Sequence, residues 1–284
     1  MTKLFANMTP KKLLILELAV TTILILILYY PILKTLVSDW NNDPNYSHGF
    51  LIPFISGYII WERRKQLKKT TPEPCNWGLL ILLAGLVVLI LGTIGSELFT
   101  KRFSLLIVLG GTILFLSGKQ AVKHLFFPLS FLLFMIPLPY ILYDAIAFPL
   151  KLFASKIAGG ALLLLNIPVF REGNIIHLAS TTLEVADACS GIRSLVSLIA
   201  LGVIFAHISQ NALWKKIVLI LSTVPIAIVA NVCRVTGTGI LAHHWSPEIA
   251  TGFFHTFSGW LIFVVAFVLL FGVGAMLRAR AKIT

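Results

Sequence analysis

The chain has 284 residues, 58% of them apolar and 12% charged, which lies outside the range of soluble domains and is typical of a polytopic membrane protein. No Walker-type glycine loop appears and no ATPase or Rossmann module fits between the apolar runs. The net charge of +12 would suit nucleic acid only if the cations lined one continuous face; they fall in loops between apolar runs, which excludes that partner.

Eight membrane spans are predicted, at residues 13–33, 48–61, 78–96, 103–118, 124–141, 190–208, 217–241 and 254–277. Each is near the roughly 20 residues a bilayer needs, the second and fourth being short. Met1 to Tyr30 resembles a signal peptide in outline. The run continues to Leu33 with no small-residue cleavage site after it, so a retained anchor is expected. Lys3, Lys11 and Lys12 precede the first span. Arg63, Arg64, Lys65, Lys68 and Lys69 follow the second, Lys119 and Lys123 the fourth, Lys215 and Lys216 the sixth, and Arg278, Arg280 and Lys282 the last. Every second loop is basic, which predicts that both termini are cytoplasmic. The expected class is an all-α integral membrane protein, one domain over residues 1–284.

The stretch from Pro139 to Ala188 is expected on the outer side. Its first half, Tyr143 to Leu165, is apolar but interrupted by Asp144, Pro149, Lys151, Lys156 and Gly159-Gly160. That pattern predicts an external interfacial or re-entrant helix rather than a ninth span. Its second half reads as a β-hairpin, Gly173 to Ala179 and Thr182 to Ala186. Ile176, Leu178, Leu183 and Val185 alternate there with His177 and Glu184 around Ser180-Thr181. The hairpin delivers the chain to Cys189, at the start of the sixth span.

Arg234 lies inside the apolar stretch Val218 to Leu241, where a permanent charge costs several kcal/mol or more unless it is compensated. Asn231 and Thr238, three residues before and four after it, share its helical face, so one polar stripe is expected to face the bundle interior. In the predicted topology Cys189, Arg234 and His255 share the outer leaflet. A thiol at a helix N-terminus feels the positive end of the dipole and free backbone N–H groups, both of which favour the thiolate. The same N–H groups could cradle an oxyanion. An imidazole can take the thiol proton and return it to a leaving amine, which makes His255 the natural base. Arg234 could hold developing negative charge or anchor a substrate carbonyl or carboxylate.

Plainer roles fit each residue singly. Cys189 could be a small apolar filler, Arg234 could snorkel outward or pair with Asp187 or Glu248, and His255 could belong to an aromatic belt with Phe253, Phe254 and Phe257. A Cys189–Cys233 disulfide would abolish the nucleophile. Cys75 sits in a basic loop expected to stay reduced. His243-His244 and His48 lack a carboxylate or third ligand at ligand spacing, so no metal and no cofactor are expected.

Four ordered segments carry a family resemblance: Tyr46-Ser47-His48-Gly49-Phe50-Leu51-Ile52-Pro53, Ala188-Cys189-Ser190-Gly191-Ile192-Arg193-Ser194, Asn231-Val232-Cys233-Arg234-Val235, and Gly252 to Trp260 around His255. Together they resemble the exosortases, over nearly the whole chain. The resemblance implies an integral-membrane cysteine peptidase or transpeptidase, with Cys189 as nucleophile assisted by Arg234 and His255. It also implies its partners: secreted proteins with a C-terminal sorting signal made of a short motif such as Pro-Glu-Pro, a transmembrane helix and a basic tail. Arg193, Asn231 and His48 are second-tier candidates for substrate contact or support. The implied setting is a bacterial inner membrane with the site facing the periplasm.

Two other classes make different demands. A transporter would carry polar groups through the full membrane depth, whereas the inner halves, Ile217 to Thr223 and Val264 to Met276, are almost wholly apolar. A scaffold for envelope-polymer assembly would need no thiol at all.

Overall fold

The computed structural model describes residues 10–179, 181–185, 192–244 and 253–279, without the side chains of 10–12, 14, 192–194, 253–259, 262 and 279. The chain divides into two compact units, Met1–Pro139 and Tyr140–Thr284. Among the described residues, five helices are long and apolar enough to cross a membrane. This is a multi-pass membrane protein.

In the first unit, α1 (Pro10–Asn42) presents most of its apolar surface outward, as a lipid-facing helix does. Only one face is buried, through Tyr29, Leu36 and Trp40. A 3₁₀ turn, Ser47–Phe50, leads into α2 (Leu51–Glu62) and α3 (Arg64–Lys69). Next come α4 (Trp77–Ile94) and α5 (Leu98–Phe131), the latter followed by a 3₁₀ turn, Leu132–Met135. Polar ties fix α1 against α5. The Tyr29 and Ser104 hydroxyls are 2.8 Å apart, the Arg102 guanidinium lies 2.6 Å from the Asp39 carboxylate, and Trp40 Nε1 donates to the Met135 carbonyl at 2.8 Å. Arg102 is 2% exposed, a buried charge that is tolerable only because it is paired.

Helices α4 and α5 form a tight hairpin. Gly78, Gly85 and Gly92 recur every seven residues and meet Phe115, Val108 and Lys101, which recur at the same interval. A β-carbon at Gly85 would stand 2.8 Å from Val108 Cγ2. Small residues let the backbones approach, the way lipid-embedded helices gain packing without a hydrophobic drive. Glu97 caps α5 through the backbone N–H groups of Phe99 and Thr100. Burial alone would raise its carboxyl, but hydrogen bonds from the Thr100 hydroxyl and those two N–H groups, with Arg102 nearby, hold it below the ordinary carboxylate range.

The predicted fourth and fifth spans are the two limbs of α5, joined at Gly118 with φ 84° and ψ −177°. That region is essentially closed to residues with a side chain. The predicted second span is shorter than expected, because its first residues form the 3₁₀ turn and α2 is 12 residues long. Among the described residues five helices have spanning length, and parts of α7 and α9 form further, shorter apolar helices.

The second unit opens with α6 (Tyr140–Leu164), the segment expected to lie in the interface. It is one continuous helix of 25 residues and meets the length and hydropathy for a crossing. Pro149 and Gly159-Gly160 do not end it, because Tyr143, Ala147, Ala154, Ala158 and Leu162 form a buried stripe that packing holds helical.

Three antiparallel strands follow: β1 (Val169–Glu172), β2 (Ile175–Leu178) and β3 (Thr182–Glu184). The expected hairpin is β2–β3, with Ile176 opposite Leu183. β1 adds an edge strand, turned at Gly173 with φ 60°. Ile176, Leu178, Leu183 and Val185 are buried as the alternation required. They pack in one core with Ala154, Ala158 and Leu162 of α6. The Ser155 hydroxyl on α6 donates to the Gly173 carbonyl at 2.9 Å, pinning the β1–β2 turn.

The unit closes with α7 (Ile192–Ser209), α8 (Leu213–His244) and α9 (Phe253–Ala279). These three share a second core built on Leu198, Ala206, Leu219, Ala227, Ala266 and Leu270.

Candidate active site

One end of the α7–α8–α9 group is basic and tightly tied. Lys215 Nζ donates to the Leu277 carbonyl at 2.6 Å, Gln210 Nε2 to the Gly274 carbonyl at 3.0 Å, and Arg278 Nε to the Ser209 carbonyl at 2.9 Å. Lys215 is 8% exposed. Its ammonium meets the negative end of the α9 dipole, which is why a buried lysine is stable there.

The opposite end carries the candidate residues. Arg234 stands about 27 Å along α8 from Lys216 at the usual helical rise, near the far edge of a hydrocarbon layer roughly 30 Å thick. Its neighbours sort around the helix as expected. Asn231 is buried, Arg234 and Thr238 are half-buried, and Cys233 is exposed as a free thiol. The Thr238 hydroxyl donates to the Arg234 carbonyl at 2.9 Å, a local bond that satisfies Thr238 without drawing on other groups.

The two cores of the unit meet on this part of α8. Ala230 belongs to the core shared with α7 and α9, while Val235 and Ala242 belong to the sheet core, together with Val185. The Val185 N–H donates to the Asn174 carbonyl at 2.9 Å. Arg234 thus sits between a residue turned toward α7 and α9 and one turned toward the sheet.

Cys189 lies outside the described residues; four positions separate it from Val185 and three from Ile192, the first residue of α7. His255 falls in the first turn of α9, at the end opposite Leu277. Arg193 is the second residue of α7. The side chains of His255 and Arg193 lie outside the described part of the structure. His48 belongs to the first unit, in the 3₁₀ turn ahead of α2, half-buried and hydrogen-bonded to the backbone of Phe134 and Asn45. The imidazoles of His243 and His244 lie 4.9 Å apart, edge to face.

Thr236 is a residue that sequence reasoning does not single out. Its hydroxyl is buried without a hydrogen-bond partner among the described residues, two positions from Arg234. A threonine in an apolar run carries little signal by itself, because its hydroxyl commonly bonds back to its own helix.

The transmembrane exosortase family model (Exosortase_EpsH) matches residues 40–272. The chain belongs to the transmembrane exosortases. No curated protein and no solved structure matches it. The matched region of the exosortase runs from Trp40 to Gly272 and so takes in His48, Cys189, Arg193, Asn231, Arg234 and His255. Most of α1 precedes it.

Proposed function

We propose that this exosortase is a cysteine peptidase or transpeptidase that cleaves C-terminal sorting signals of secreted proteins at the outer face of the bacterial inner membrane. Residues 1–284 act as one exosortase domain with both termini cytoplasmic. The observation that carries the reading is the position of Arg234, at the end of the α7–α8–α9 group away from its basic ties, in a chain whose family match spans residues 40–272.

Cys189 is the nucleophile, with α7 beginning three residues after it. His255 accepts its thiol proton as the sulfur attacks the carbonyl carbon of the scissile peptide. The resulting oxyanion is held by the Arg234 guanidinium and by free N–H groups at the start of α7. Collapse breaks the C–N bond, and His255 passes its proton to the departing amine, which leaves with the membrane-anchored tail. The acyl group remains on Cys189 as a thioester. Water or another nucleophile then attacks the thioester, His255 taking its proton, and the thiolate departs. Asn231 and Arg193 support substrate or the catalytic side chains.

Substrates with a short motif, a transmembrane helix and a basic tail arrive by lateral diffusion, so the site opens toward lipid as well as outward. Co-expression with such a secreted protein, followed by mass analysis of its mature C-terminus, tests both activity and cleavage site. An uncleaved substrate beside wild-type enzyme, or unchanged cleavage by Cys189→Ala, overturns the reading.

A further inference from the structure

A polar pocket of ≈ 420 Å³ opens in the first unit between the end of α3, the loop before α4, and the start of the second limb of α5. Lys69, Thr71 and Glu73 line one side, Gln120 and His124 the other, and Gln66 contributes from α3. Two features fix its walls. The Arg63 guanidinium donates to the His124 carbonyl at 2.6 Å, and at Gly118 the Glu73 carbonyl fills the space a side chain would need. The pocket is therefore built by the kink rather than being a slack loop.

Its depth is set by its neighbours. Trp77 opens α4 and Trp61 lies in the last turn of α2, both exposed, and the Arg64 guanidinium stacks on the Trp61 ring at 3.9 Å. Exposed tryptophans at the ends of membrane helices sit at headgroup level. The surrounding charge is one-sided. Arg63, Arg64, Lys65, Lys68, Lys69, Lys119 and Lys123 face only Glu62 and Glu73 over residues 62–76 and 118–124.

We propose that this pocket binds the phosphodiester headgroup of an anionic phospholipid with a hydroxylated head, such as phosphatidylglycerol. The Lys69 ammonium, the Gln66 and Gln120 amides, the Thr71 hydroxyl and the ring N–H of His124 supply the donors a phosphate takes up. Glu73, the one acid in the lining, accepts from the glycerol hydroxyls. The acyl chains continue into the bilayer beside α4 and α5. The assignment is independent of the peptidase chemistry, since its readout is lipid retention.

The test is native mass spectrometry of the full chain, delipidated in detergent and titrated with dioleoylphosphatidylglycerol, with dioleoylphosphatidylcholine or with inorganic phosphate. Wild type should retain phosphatidylglycerol in preference to phosphatidylcholine. Lys69→Gln and Gln120→Glu should each weaken that retention by roughly fivefold, the effect of one interfacial charge. Lys65→Gln removes the same charge from the same basic segment but not from the pocket lining, and should leave retention unchanged. Equal loss in Lys65→Gln would mean diffuse attraction and overturn the proposal, as would equal retention of phosphatidylcholine. Inorganic phosphate binding alone with the same variant dependence would make this a free-anion site and overturn the lipid assignment.

Discussion

Arg234 could be read from sequence because its cost in hydrocarbon demands a reason, and its half-buried position beside buried Asn231 agrees with the polar stripe. Its proposed role makes a sharp prediction. Arg234→Lys keeps the charge but loses the planar fork, so processing of a sorting-signal substrate should fall by roughly a hundredfold while the protein still accumulates in the membrane. Near-normal cleavage would reduce Arg234 to an anchor. His255→Ala should be comparably inactive, and combining it with Cys189→Ala should add little, because residues that act as one unit are not additive. Quantitative cleavage assays on the three variants settle this. Cys233→Ala and Cys75→Ala should be tolerated, since both thiols are free. Thr236 escapes a reading of the sequence because the burial of its hydroxyl without a partner among the described residues arises from packing that spacing does not encode.

At the scale of elements, hydropathy locates α4 and the first limb of α5, but their contact is not legible. A heptad of glycines signals close approach only once its partner helix is known. Gly85→Leu should disrupt the hairpin, because a β-carbon alone would already lie 3.0 Å from the Val108 backbone nitrogen. Overpacking of this kind costs about 1–3 kcal/mol or more, and a thermal-stability assay in detergent should register it. The β2–β3 hairpin is legible from its alternation, whereas β1 is not. Val169 to Glu172 exposes three of its four residues, so it has no buried period to detect. Ile176, fully buried in the sheet core, should cost about 2–5 kcal/mol as Ile176→Ala. Helix α6 is hard to read for a related reason. Pro149 and Gly159-Gly160 look like breaks until its buried stripe against the sheet is known.

For the whole molecule, the alternation of basic loops gives an orientation that rests on charge alone. It predicts that an engineered cysteine at Asn174, in the β1–β2 turn, reacts with an impermeant maleimide in intact spheroplasts. Labelling only after the inner face is opened would reverse the topology and separate Arg234 from the outer leaflet. Span number is the least legible feature. Gly118, at φ 84°, breaks α5 into the two limbs that hydropathy separates, whereas a 12-residue α2 cannot be told from a short span by composition. Helix α8 is held at both ends, by the Lys215 tie to Leu277 below Arg234 and by the sheet core gripping Val235 and Ala242 above it. It cannot slide along its axis without breaking one of them, so α8 works as a ruler. A substrate anchored by its own helix would present its scissile bond at one fixed height, and inserting residues between its motif and that helix should lower processing with each added residue.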